Sequence, residues 1–278
     1  MSSALSAQPP TGLAHRLRWT AADAWILIRR ELWHLRNQPS QLVSALIFPV
    51  ALVVLFGYVF GSAIAVPGGG NYRAYLMPGL FSMTAAFSVL IKARAIAGEK
   101  SKGVMDRFRS MPMARLAVPF GQTGADIITG AAATLIMAVC GLAVGWRPHD
   151  GAAAAIGAFI LILLFRYAAS WVGIYLGLVL KDDKTVDNLA PLIFPFTMIA
   201  NTFVPTTHMP AWLRAIADWN PLSAITAASR QLFGNPLAAT SHVPWPLQHP
   251  VVAAVVWSAA LLAIFATLSV RRFAAGGN

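Results

Sequence analysis

The chain carries no Asp, Glu, Lys or Arg between Arg36 and Arg73, and this interval is rich in Leu, Val, Phe and Ala. An apolar run of about 18 residues or more is long enough to cross the hydrocarbon core of a bilayer as one helix. The whole chain shares this character, because 57% of its 278 residues are hydrophobic and only 11% are charged. One soluble core cannot hide so much apolar surface at this length. The sequence therefore predicts an all-α, polytopic membrane protein.

Five further apolar segments have the length of a spanning helix, so we predict six transmembrane helices within a single transmembrane domain, 1–278. The predicted spans are 41–62, 74–91, 117–145, 152–180, 186–206 and 248–270. Asp126 interrupts the third span, Arg166 interrupts the fourth, and the fifth contains Pro191 and Pro195.

The basic residues predict the orientation of these spans. Sixteen of the 21 Lys and Arg residues lie on one side of the predicted topology, four on the other, and Arg166 within a span. Lys and Arg are enriched in cytoplasmic connections, so both termini are predicted to be cytoplasmic. This topology also explains the net charge of +11, and we expect no nucleic-acid partner. Four tryptophans are predicted at the outer boundary, and two inside spans as packing residues: Trp146, Trp212, Trp219 and Trp245, then Trp171 and Trp257.

Two segments are predicted to be helical without spanning the bilayer. Residues 21–37 have the pattern of a basic amphipathic helix that lies in the membrane interface, either as an anchor alone or as an anchor that also contacts a cytoplasmic partner. Residues 207–234 are predicted to form an outer re-entrant hairpin of two short helices, about 210–219 and 221–233. Pro210 is expected in the first turn of one helix. Asn220 and Pro221 are expected as the N-cap and first residue of the other.

No pattern of catalytic residues is visible. The single cysteine excludes a cysteine-based metal site, and the Walker A order of residues is missing, so no cofactor is expected in this chain. Asp126 and Arg166 are predicted at similar depth, and a pair between them is geometrically feasible. Three interpretations stay open: a structural pair between adjacent helices, a contact with substrate or a second copy of the chain, and a hydrated cavity.

Residues 98–112, GEKSKGVMDRFRSMP, concentrate charge between two apolar spans. Helical spacing would place Val104, Phe108 and Met111 on one apolar stripe, with Ser101 capping the start of the helix. A solvated loop needs charge but not this stripe. The alternative is a helix that docks onto lipid or into a groove of a cytoplasmic protein.

Two blocks of this sequence resemble type 2 ATP-binding-cassette (ABC) permeases, and among these the bacterial drug-efflux permeases of the daunorubicin-resistance type. The first block is the cytoplasmic stretch, where Glu99, Gly103, Phe108, Pro112 and Arg115 stand in the places of the family pattern. The second block lies between spans five and six and contains Phe203, Pro205, Met209, Pro210, Trp212, Asn220, Pro221 and Arg230.

The resemblance implies that 98–112 is a coupling helix, through which an ATP-binding subunit moves the spans. The residues expected to carry this coupling are Glu99, Lys100, Gly103, Val104, Asp106, Arg107, Phe108, Arg109, Met111 and Pro112. Two copies of the ATP-binding subunit would hold the ATP and magnesium, and a second copy of the permease or a related chain would complete the pathway. The bilayer in question would be the bacterial inner membrane.

The leading functional interpretation is the permease subunit of an exporter for lipophilic drugs or lipids. Export of glycans or lipid-linked glycans is the alternative within the same class. An ion-coupled secondary transporter is a different class, for which Asp126 alone is thin support. A membrane enzyme lacks a set of catalytic residues at one depth.

Overall fold

The structure is a computed structural model. It describes residues 72–104, 117–203, 206, 209–235 and 244–275, together with the short stretch 50–55 and a few single or paired positions between 22 and 58. This part of the chain is helical and contains no strand. The helices are α1 (Tyr72–Ser101), α2 (Ala117–Val144), α3 (Gly151–Val179), α4 (Asp183–Asp187), α5 (Ala190–Ile199), α6 (Ala211–Asp218), α7 (Pro221–Leu232), α8 (Trp245–Gln248) and α9 (Pro250–Ala275). The predicted interfacial helix, 21–37, and the predicted first span, 41–62, lie outside the described residues apart from those positions.

Four of these helices, α1, α2, α3 and α9, are long and apolar enough to cross a membrane. Their positions coincide with four of the predicted spans, but α1 continues ten residues beyond the predicted end at 91. It can continue because no proline follows Pro78 in this helix, and its 30 residues measure about 45 Å. The helix ends where Gly103 adopts a left-handed conformation with φ of +69°.

The extension of α1 corrects two expectations. The predicted second span ends at 91, which would place Lys92 in a cytoplasmic connection, but Lys92 lies inside α1 and is only 9% exposed. Ser101 was expected to begin a coupling helix, but it belongs to the last turn of α1, where its hydroxyl donates to the Gly98 carbonyl. The predicted helix 98–112 therefore does not start at 98. Residues 105–112 lie outside the described residues.

Helices α1 and α3 pack closely because two glycines of α3 face α1. A Cβ atom on Gly173 would lie 2.5 Å from the Val89 carbonyl oxygen, and one on Gly177 would lie 2.6 Å from the Ala93 carbonyl oxygen. The spacing is the small-xxx-small pattern that allows membrane helices to approach closely. This contact fixes α1 and α3 as the central pair, against which α7 and α9 also pack.

The predicted fifth span, 186–206, is not a continuous helix. Helix α4 ends at Asp187, and α5 has only 10 residues, with Pro191 in its first turn and Pro195 inside it. Ten residues extend about 15 Å, which is half the hydrocarbon thickness. The chain turns extended at Ala200. The two prolines have no backbone N–H to donate within the helix. The backbone after the helix hydrogen-bonds to side chains instead.

Helix α4 begins with a side-chain cap. The Thr185 hydroxyl and backbone N–H both donate to the Asp182 carboxylate, at 2.6 and 2.8 Å. These two hydrogen bonds lower the pKa of Asp182 below its ordinary value. Asp187 at the other end forms an exposed ion pair with Arg94 of α1, at 3.2 Å.

The two short helices of the predicted hairpin, α6 and α7, stand where the sequence placed them. Asn220 caps α7, because its side-chain oxygen accepts from the Leu222 N–H at 2.9 Å, and Pro221 is the first helical residue. Pro210 is the residue before α6 rather than part of its first turn. Helix α7 is buried along one continuous stretch, from Leu222 to Arg230.

The four tryptophans predicted at the outer boundary differ in exposure. Trp212, Trp219 and Trp245 are exposed, as amphipathic side chains at a membrane boundary would be. Trp146 is instead 2% exposed, and its ring packs edge-to-face on Phe233 at 5.0 Å. Trp146 follows the end of α2, and the end of α7 covers it. Trp171 is a buried packing residue, as predicted.

Candidate functional site: a buried ionic cluster

Three charged side chains meet where α1, α2 and α3 come together. Arg166 of α3 donates from Nη2 to the Asp126 Oδ1 atom of α2 at 2.9 Å, and from Nε to the Asp126 backbone carbonyl at 3.4 Å. The Arg166 Nη1 also reaches the Thr84 carbonyl of α1, at 3.5 Å. The structure thus brings together the two charges that the sequence placed at similar depth within predicted spans.

A glycine makes this pair sterically feasible. A Cβ atom on Gly130 would lie 2.0 Å from the Arg166 Nε and 2.4 Å from its Cδ. Gly130 follows Asp126 by four residues, so both face α3 from the same side of α2. The four-residue spacing of Asp126 and Gly130 is visible in the sequence, but its role becomes clear only once Arg166 is known to be the partner.

Lys92 is the third charged residue, and sequence reasoning missed it. Its Nζ lies 3.9 Å from the Asp126 Oδ1, and its Cβ packs against the Gly173 position of α3. The absence of a helix breaker after Pro78 was the signal that α1 continues through Lys92. We call Lys92, Asp126 and Arg166 the ionic cluster.

The ionic cluster is nearly removed from solvent. The exposed fractions of the side chains are 11% for Lys92, 10% for Arg166 and 3% for Asp126. Because buried charges interact strongly, removing one partner of the pair leaves an uncompensated charge, which costs about 3–5 kcal/mol of stability. The cluster therefore ties the three helices together at one level.

The described part of the predicted coupling segment is bound to the chain's own core. Lys100 donates from Nζ to the Leu178 and Leu180 carbonyls, at 2.9 and 3.0 Å, and so caps the C-terminal end of α3. Glu99 accepts a hydrogen bond from the Gln122 amide of α2 at 3.2 Å.

Val104 packs on the buried cluster around Trp171 and Ile174. Its packed side therefore faces this chain, and the stripe predicted with Phe108 and Met111 stays a prediction because those two residues lie outside the described residues. The other predicted coupling residues lie outside the described residues: Asp106, Arg107, Phe108, Arg109, Met111 and Pro112.

The hairpin of α6 and α7 is held by a second buried cation, Arg230 of α7. Its Nε donates to the Tyr75 carbonyl at 2.8 Å, and its Nη2 donates to the Asn201 and Thr202 carbonyls at 2.8 and 2.9 Å. The guanidinium lies 3.7 Å above the Tyr75 ring centroid. The sequence had assigned Arg230 to an outer connection, whereas the structure buries it as the joint between α1, α7 and the end of α5.

The remaining hairpin residues have different roles. Phe203 is half-buried against the core, while Trp212 is exposed. The Asn220 amide donates to the Phe196 carbonyl at 3.1 Å, which fixes the start of α7 against α5. Met209 accepts from Arg214 through its carbonyl. Pro205 lies outside the described residues.

Four membrane-length helices with an ionic cluster buried among three of them define a multi-pass membrane protein. The family model described as ABC-2 type transporter matches residues 22–233. The chain therefore belongs to the ABC-2 type transporter family.

Curated relatives are similar over almost the whole length. The chain is 28% identical to the daunorubicin resistance ABC transporter permease protein of Streptomyces coeruleorubidus, over 92% of this chain and 88% of that relative. It is 25% identical to the doxorubicin resistance ABC transporter permease protein of Mycobacterium tuberculosis, over 95% of this chain and 94% of that relative.

Proposed function

We propose that this chain is the membrane subunit of an ATP-driven exporter that moves lipophilic drugs or lipids out of a bacterial cell. The observation that carries the proposal is the similarity to two drug-resistance permeases over about nine-tenths of the chain. Family membership over residues 22–233 supports the same assignment. The proposed assembly contains two ATP-binding subunits, which hold ATP and magnesium, and a second permease chain.

The proposed topology has six membrane crossings in the inner membrane, with both termini in the cytoplasm, and the fifth crossing is made by the interrupted segment of α4, α5 and the backbone after them. The charge asymmetry supports this orientation even after the corrections from the structure. With the buried Lys92 and Arg230 removed from the count, fifteen basic residues remain on the cytoplasmic side and three on the outer side.

The proposed coupling route runs from the ATP-binding subunit through 105–112 into α1. The structure supports a rigid route beyond that point, because Lys100 binds the end of α3 and Glu99 binds α2. A force on the C-terminal end of α1 would therefore act on three helices together, and on the ionic cluster about 14 Å along the helix.

The test is reconstitution of the chain with its ATP-binding subunit in liposomes, with ATP-dependent movement of daunorubicin followed by fluorescence. We expect transport from the wild-type complex and loss of both transport and subunit co-purification in the Phe108→Asp variant. The matched control is Ser101→Asp, which adds the same charge at an exposed position in the same stretch. A wild-type complex that hydrolyses ATP without moving any lipophilic compound, or a Phe108→Asp variant with normal coupling, would contradict the proposal.

A further inference from the structure

The ionic cluster contains more positive than negative charge. Lys92 and Arg166 both pair with Asp126, and no other Asp or Glu in the described ranges lies within 4.0 Å of either cation. Two cations and one carboxylate give the nearly buried ionic cluster a net charge of +1. A buried charge without a counter-charge is costly, so the cluster favours the arrival of an anion.

Lys92 also has donors to spare. An ammonium group has three N–H donors, and within the described part of the chain the Lys92 Nζ has only the 3.9 Å ion pair, which is longer than a hydrogen bond. The Asp126 Oδ2 atom is buried and likewise has no hydrogen-bond partner there. A small rotation of Lys92 could satisfy Oδ2, but that would still leave two donors and the excess charge.

The cluster lies at a defined level of the helices. The ends at Tyr72 and Val144 are adjacent, because Arg73 donates to the Val144 carbonyl at 2.9 Å. Measured from those ends, Lys92 lies about 30 Å along α1 and Asp126 about 27 Å along α2. This distance is close to the thickness of the hydrocarbon core, so the cluster reaches the headgroup level at the opposite boundary. The orientation proposed above makes that the cytoplasmic boundary.

We propose that Lys92, together with Arg166, forms a site for the anionic headgroup of a membrane amphiphile from the cytoplasmic leaflet. The headgroup would carry a phosphate or carboxylate, whose oxygens accept from the free Lys92 donors and neutralise the excess charge. Asp126 orients the two cations by accepting from Arg166 and pairing with Lys92. The residual exposure of the two cationic side chains, 11% and 10%, is where the headgroup would make contact.

This site would serve a resident anionic lipid or a transported anionic amphiphile, since both present the same chemistry. The proposal depends on the membrane placement of the helices and not on ATP-driven export. Its test therefore uses the full-length permease without its ATP-binding subunit, and it can fail or succeed independently of the proposed function.

The experiment measures phosphatidylglycerol and phosphatidylcholine retained by the purified full-length chain, by native mass spectrometry after exchange into detergent. We expect selective retention of phosphatidylglycerol, reduced about fivefold in Lys92→Met and restored in Lys92→Arg. The matched control is Lys184→Met, the same substitution at an exposed position of α4. Monodispersity on size exclusion shows that each variant is folded, and the wild-type lipid preference tests the proposal without any variant.

Equal retention of the two lipids by the wild type would overturn the proposal, as would equal retention of phosphatidylglycerol by Lys92→Met and Lys184→Met. Displacement of the lipid by about 10 mM glycerol phosphate, roughly ten-thousandfold above a Kd of 1 μM, would overturn the membrane source of the anion. In the complete complex, a resident lipid stays bound when ATP is added and a transported amphiphile is released. Either of these two results supports the site.

Discussion

Gly130 gives Arg166 the space to reach Asp126, and its substitution is the most local test of the ionic cluster. In Gly130→Ala the new Cβ would overlap the Arg166 Nε, at 2.0 Å, and displace the guanidinium from the carboxylate. We expect the unfolding midpoint in detergent to fall by about 5–10 °C, which corresponds to a loss of about 3 kcal/mol from a broken buried pair.

The control for this prediction is Gly157→Ala, in the interior of α3, where an added Cβ would meet nothing within 4 Å. Alanine favours a helix over glycine, so this variant should be unchanged or slightly more stable. In an Arg166→Gln background the Gly130→Ala substitution should cost much less, because a shorter neutral side chain replaces the guanidinium. An undiminished cost in that background would show that Gly130 acts through something other than Arg166.

Arg230 offers a second prediction at the scale of one side chain. Arg230→Gln removes a buried guanidinium that binds three backbone carbonyls and lies on the Tyr75 ring. Hydrogen bonds from a charged donor contribute about 1.5–3 kcal/mol each, so the loss of three predicts a fall in unfolding free energy of about 5–9 kcal/mol, measured by thermal unfolding. Arg214→Gln is the matched control, since Arg214 is exposed and within the described residues makes one hydrogen bond, to the Met209 carbonyl. Equal effects of the two substitutions would contradict the assigned role of Arg230.

At the scale of helices, the close contact between α1 and α3 determines whether the cytoplasmic end of α1 is held. In Gly177→Ala the added Cβ would lie 2.6 Å from the Ala93 carbonyl oxygen and 2.7 Å from the Ile96 Cβ, so the helices must separate. Separation would draw Lys100 away from the Leu178 and Leu180 carbonyls.

We therefore expect faster amide hydrogen exchange over the last turn of α3 in Gly177→Ala, with little change at its N-terminal end. Gly98→Ala on α1 is the control, because nothing lies within 4 Å of its added Cβ. Protection of the last turn that is identical in the two variants would show that the glycine contact does not support the Lys100 cap.

The helices also show which features a sequence can specify. Apolar runs predicted the positions of α2, α3 and α9, and the Asn220–Pro221 pair predicted the start of α7, because these signals are local. The prediction of a continuous helix over 186–206 was wrong because side chains distant in sequence bind the backbone past Ile199. The same limit applies to the ionic cluster. The similar predicted depth of Asp126 and Arg166 suggested that they pair, whereas the role of Lys92 became visible only from the observed length of α1.

At the scale of the whole molecule, the structure gives the relative arrangement of the helices, and their direction across the bilayer is a prediction from charge. The Tyr72 end of α1 and the Val144 end of α2 form one face, and Ser101 lies at the opposite end of α1. Ala211, at the start of α6, is exposed in the outer hairpin. Since the single cysteine is Cys140, a Cys140→Ser background allows each side to be tagged alone.

In that background, a membrane-impermeant maleimide applied to intact cells should label the Ala211→Cys variant and should not label Ser101→Cys. After permeabilisation both should react, because both positions are exposed and neither is in the ionic cluster. The expectation follows from the excess of basic residues on the Ser101 side, which disfavours translocation of that side. Labelling of Ser101→Cys in intact cells would reverse the orientation and move the ionic cluster to the outer leaflet. An ATP-binding subunit in the cytoplasm would then have no access to the C-terminal end of α1.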